Sequence, residues 1–149
     1  MTKVNWTRLI IGGLVASWIC FATDGLMHNK LLEADWARLF EALCGQPPPS
    51  KEHEHAGALI SFFDYELGRG LGAVFLYVMM RARYGAGPKT ALWAGVVTWL
   101  ICSVSGPAQF IPLGLFSHAL WWKMGAIHFV TTLVAAIAGA AIYRERPST

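Results

Sequence analysis

A chain of 149 residues that is 55% hydrophobic and 14% charged is too apolar for an ordinary soluble domain, in which about 25% of residues are charged. Its net charge of +3 comes from scattered basic residues, with no basic helix or aromatic-basic motif, which argues against a nucleic-acid partner. Cys20, Cys44 and Cys102 form no C-x-x-C pair, no metal spacing and, being odd in number, no disulfide framework.

In chain order the pattern predicts one all-α integral membrane unit over residues 1–149: a four-helix transmembrane bundle with an amphipathic interfacial helix between the first and second spans. Lys3 and Arg8 precede an apolar run, Leu9 to Ala22, that has the look of a signal peptide. No A-x-A-like cleavage site follows, and bulky Trp18 and Ile19 before Cys20 do not suit lipidation. The run therefore reads as a retained signal-anchor span over about residues 6–28. Over 31–44, Leu32, Trp36, Leu39, Phe40 and Leu43 recur at helical spacing, with Glu33, Arg38 and Glu41 elsewhere. That segment is too short and too charged to span, and fits an amphipathic helix at the interface, with Trp36 as its anchor. Gly45 and the prolines 47–49 end it. Ser50 then opens a polar lead-in through His55, as the N-cap of the next helix.

The second span covers about 55–82. A tight Tyr84–Pro88 connection follows, with Pro88 suited to the first turn of the third span, about 89–106. Pro107 and Pro112 punctuate its exit, and Phe110 to Phe116 is an apolar interfacial connection. The fourth span, about 117–143, is stopped by Arg144-Glu145-Arg146. With the N-terminus inside, Lys3, Arg8, Arg81, Arg83, Lys89, Arg144 and Arg146 face the cytoplasm against the single acid Glu145. The positive-inside rule then places both termini in the cytoplasm of a multi-pass protein, with the bilayer as its first partner. Trp6 and Tyr84 mark the inner interface, and Trp121 and Trp122 the outer one.

That orientation gathers the polar residues into the outer half: Asp24 and His28; Asp64, Glu66 and Arg69; Ser103, Ser105 and Gln109; His118, Lys123 and His128. Ionisable groups within a span mark a functional site by default, because each is expensive there unless paired or hydrated. Near the headgroups the same charges can also snorkel or line a wet vestibule. Asp24 and His28 are i,i+4, and Glu66 and Arg69 are i,i+3, so each pair shares a helix face. Asp64 points about 140° from Arg69, which directs it to another helix, toward Lys123 or a histidine. Asp64 and Arg69 are the deepest of the set. Gly68 and Gly72 form a G-x-x-x-G helix-packing face.

No cofactor or metal is expected. His53-Glu54-His55 and His118 form only a weak metal pattern. A bis-histidine haem is disfavoured because His128, roughly 15 Å along its helix from His118, lies near the midplane while His28 lies at the outer rim. There is no G-x-S-x-G, no H-E-x-x-H and no phosphate-cradling loop, so an enzyme is not indicated.

Val4-Asn5-Trp6-x-Arg8, the Gly12-Gly13 helix ending Gly25-Leu26-Met27-His28, the following Leu-Leu-x-x-x-Trp segment and Tyr84-Gly-x-Gly-Pro-Lys-Thr90 are short motifs within a likeness that covers most of the chain. In these the sequence resembles a family of small, uncharacterised four-helix bacterial membrane proteins. The resemblance implies an inner-membrane location and no particular activity. Two functions follow from the pattern as expectations. One is a non-enzymatic membrane protein that self-associates or serves as an accessory subunit of a larger complex. The other is a small transporter or channel component that binds an ion or solute in the outer vestibule.

Overall fold

The computed structural model describes residues 4–46 and 56–145, all of whose regular structure is helical. Helix α1 is Trp6–Leu31, α2 is Glu33–Cys44 and α3 is Ala56–Tyr84. Helix α4, Pro88–Trp99, continues through a π-helical turn, Leu100–Ser105, into the short α5, Gly106–Ala108, and α6 is His118–Ile142. The bounds sit within a few residues of the expected ones. The expected N-cap Ser50 and the histidines 53 and 55 lie outside the described residues.

Local chemistry sets the ends. The Asn5 side chain accepts a hydrogen bond from the Arg8 N–H at 3.2 Å and caps α1, and Ser117 does the same for α6 through the Leu120 N–H at 3.1 Å. Gly45 closes α2 in the left-handed conformation, φ 68°, donating its N–H to the Glu41 carbonyl.

Among the described residues three runs are long and apolar enough to cross a membrane: α1, the continuous Pro88–Ala108 helix, and α6. Helix α3 is the longest at 29 residues, but Asp64, Glu66, Arg69, Arg81 and Arg83 interrupt its apolar character. Helix α1 packs between α3 and α6, and α4 packs on α6 and α3. The Asn5 N–H donates to the Tyr143 hydroxyl at 3.3 Å, so the start of α1 and the end of α6 share one end of the molecule. Arg81 lies there too, 3.2 Å from Glu145 and over the Tyr143 ring.

The packing around α1 is backbone to backbone. A Cβ on Gly12 would stand 2.5 Å from the Gly139 carbonyl oxygen, and one on Gly70 only 2.2 Å from the Ser17 nitrogen. Ser17 reinforces that contact by donating to the Leu67 carbonyl at 3.1 Å. Small residues permit this approach, which gains dispersion contacts and excludes anything between the helices. The expected packing glycines are others: Cβ atoms on Gly68 and Gly72 would meet no atom of the described residues within 4 Å, so these two face away from the described helices. On a helix, positions 68 and 70 differ by about 200°, so only one of them can face α1.

At the opposite end, α2 folds back over the bundle. Leu32, Leu120 and Met124 form a small core there with Trp36, Leu39, Phe116 and Ile127. An ion pair from Lys123 Nζ to Asp35 Oδ2, 2.7 Å, ties α2 to α6.

Candidate ion-binding site

Three helices deliver charged side chains to one buried point near the α2 end. Helix α1 brings Asp24 and, one turn on, His28; α3 brings Glu66, Arg69 and Tyr65; α6 brings His128. The side chains of Asp24, Glu66 and Arg69 are fully buried. Arg69 Nη2 is hydrogen-bonded to Asp24 Oδ2 and lies 2.8 Å from Glu66 Oε2. One guanidinium nitrogen thus bridges two carboxylates on different helices.

A histidine pair abuts this bridge. His128 Nε2 lies 3.4 Å from Asp24 Oδ2 and 3.3 Å from His28 Nε2, and the two rings are within 4° of parallel. His128 is buried, whereas His28 is half-buried beneath Trp36 and Phe62. On the other side the Arg69 guanidinium sits 5.6 Å over the Tyr65 ring, a cation–π contact. The Tyr65 hydroxyl donates to the Cys102 carbonyl at 3.2 Å and lies 3.4 Å from Ser103 Oγ. Both partners belong to the π-helical turn, a distortion that recurs at functional sites.

Hydrogen bonding is incomplete. Asp24 Oδ1, both Glu66 carboxylate oxygens, Arg69 Nε and Nη1, and His128 Nδ1 are buried without a hydrogen-bond partner among the described residues. Counted as ionised, two carboxylates against one guanidinium also leave the group one negative charge in excess. Buried charge is tolerated when it is neutralised and costs several kcal/mol when it is not. The arrangement therefore calls for one further positive charge.

A metal ion is a poor source of that charge. Asp24, Glu66 and His128 each offer a ligand atom, all within 4.8 Å of one another. Arg69 Nη2, however, already stands between the two carboxylates, and a divalent ion there would face a guanidinium. Haem does not fit between the histidines either, because their Nε2 atoms are in direct contact. The expected mismatch in depth between His28 and His128 is overturned: α6 starts beyond the end of α1, alongside α2, so ten residues into α6 is level with the last turns of α1.

Of the other expected site residues, Glu66 and Arg69 pair as the i,i+3 spacing implies. Asp64 does not join them. It is exposed, and no hydrogen bond or ion pair joins it to a described residue. Lys123, its expected partner, is engaged with Asp35, and His118 is exposed at the first residue of α6. Asp24, expected to share a face with His28, instead meets Arg69 and His128. Tyr65 escaped the reading of the sequence, although its i,i+4 spacing to Arg69 signals a shared face. No family model, curated protein or solved structure matches this chain.

Proposed function

We propose that this chain is a four-span bacterial inner-membrane protein, with both ends cytoplasmic, that binds one small positively charged ligand at an occluded site in its outer half. It acts as a binding component and catalyses no reaction. The observation that carries this reading is the fully buried Asp24–Arg69–Glu66 bridge, in which two carboxylates share one guanidinium.

The same burial supports α3 as the fourth span. At about 1.5 Å per residue its 29 residues reach roughly 43 Å, more than the roughly 30 Å hydrocarbon layer. Glu66 and Arg69 are turned inward, and Arg81 and Arg83 stand in its last turn. The bilayer therefore meets a mostly apolar face. The close contacts at Gly12, Gly13, Gly70 and Gly139, between the site and the shared end of α1 and α6, argue against conduction through a single copy.

The test is the stability of the purified protein titrated separately with acid, alkali-metal and divalent cations. Wild type should gain stability from one of these, and the Glu66→Gln protein, whose cluster is already neutral, should not. Indifference of wild type to all of them would overturn the proposal.

One observation favours a second reading, the accessory subunit. Asp64, Gly68 and Gly72 are spaced i, i+4, i+8 along an unpartnered face of α3, which continues through exposed Phe75 and Met79. Two copies pairing in parallel on this face would bring Asp64 against its own mate, so a different membrane protein with a basic residue at that depth fits better than self-association. Intact-complex mass and a visible spectrum after gentle purification test this. A discrete partner lost in Gly68→Leu supports it, and a monomer or a homo-oligomer sinks it. The resemblance to small four-helix bacterial membrane proteins is compatible with either reading.

A further inference from the structure

We propose that the ligand of the buried site is a single proton, taken up from the outer side by way of His28. The inference rests on the reading just given and names its ligand. Three features carry it.

The first is room. Arg69 Nη2 occupies the space between the carboxylates, so a sodium ion would find oxygens from Asp24 and Glu66 alone, short of a full coordination shell, and no place away from the guanidinium. Two positive charges held that close repel strongly where water does not screen them. A proton needs no cavity and no coordination shell. It neutralises the excess charge by residing on a carboxylate or an imidazole already present.

The second is the chemistry of the neighbours. Facing the bridge are Cys20 from α1, Tyr65 from α3, Cys102 and Ser103 from the π-helical turn, and His128 from α6. Trp36 of α2 covers His28, and the charged groups of α2 nearest to it, Asp35 and Arg38, are paired with Lys123 and with each other. Among these described groups none but Arg69 carries a fixed positive charge toward the bridge.

The third is a route. His28 is half-buried, its Nε2 touches His128 Nε2, and that nitrogen in turn lies 3.4 Å from Asp24. A proton arriving on His28 passes to His128 Nε2 and from there to the Asp24–Glu66 pair. The uptake belongs to the coupled unit rather than to any one side chain.

The experiment compares full-length wild type with Glu66→Gln by reversible unfolding in mixed micelles across pH. Unfolded carboxyls are ionised above about pH 5, so a proton held only by the folded state makes wild type lose stability relative to the variant as pH rises. The limiting slope is a tenfold change in the ratio of unfolding constants per pH unit, ending where the folded cluster releases the proton. Should Glu66→Gln fail to fold, Asp24→Asn tests the same slope. Infrared spectroscopy of the native protein should show one protonated-carboxyl band that disappears in one of the two variants and responds more slowly to a pH jump in His28→Phe. A flat pH difference with stabilisation by sodium or potassium overturns the proton and leaves the cation-binding reading intact. A flat difference with no cation effect overturns both.

Discussion

Arg69→Met removes the one buried positive charge at the site while roughly keeping the side chain's volume. At the observed 2.8 Å, unit charges in an effective dielectric of about 20 attract by about 6 kcal/mol, and Arg69 makes that contact to Glu66 and a second one to Asp24. Much of this gain is offset by the desolvation of Arg69 itself, which the methionine does not incur. What remains is two carboxylates with no countercharge, and the loss typical of breaking a buried pair is about 3–5 kcal/mol. That is a large part of a membrane-embedded domain's margin. The assay is reversible unfolding in mixed micelles, with helicity as the signal. The decisive control is the triple variant Asp24→Asn, Glu66→Gln, Arg69→Met. It removes every charge of the bridge and should recover most of the loss, since replacing a whole buried ionic group by neutral residues of similar volume is often nearly neutral. A single Arg69→Met protein as stable as wild type would refute the reasoning. So would a triple variant no better than the single one, because the cost would then lie in packing rather than in charge.

Three further outcomes are expected. Gly70→Ala places a Cβ 2.2 Å from the Ser17 nitrogen and should cost about 1–3 kcal/mol, whereas Gly68→Ala meets nothing and should be neutral or slightly stabilising; equal effects in the same unfolding assay would contradict the α1–α3 packing. Tyr143→Phe deletes the hydroxyl that accepts the Asn5 N–H and should lower stability by about 1 kcal/mol, read most directly as faster amide exchange at the start of α1. At the other end, the hydrogen bond from Lys123, helped by the charges of Lys123 and Arg38, holds the Asp35 carboxyl below its ordinary value. A depressed value means the contribution is present above the ordinary carboxylate range and is lost as pH falls through the folded value. Amide exchange in α2, corrected for its intrinsic pH dependence, should therefore rise in acid in wild type and stay level in Asp35→Asn.

Periodicity and composition alone determined the helices. The apolar runs, the prolines at 88 and 107, the arginines at 81, 83 and 144, and the amphipathic spacing of 31–44 each act through local chemistry, so element types and most bounds were legible without a fold. The Glu66–Arg69 pair was legible for the same reason, because both residues ride on one helix face. The rest of the site was decided by tertiary structure. Asp64 and Asp24 look alike in sequence, each an acid near one end of an apolar run. Asp64 rides on the same helix as Arg69 but about 140° round from it. The rotation of α3 that aims Arg69 at Asp24 on α1, fixed by the near-contact of Gly70 with Ser17, therefore leaves Asp64 exposed. The same rotation turns Gly68 and Gly72 outward. His28 and His128 appeared mismatched in depth because a sequence carries no vertical offset between helices. The fold of α2 onto Leu120 and Met124 extends α6 past the end of α1 and brings the two imidazoles together. Rotation and offset are properties of how surfaces fit, and no single helix carries them in its own pattern.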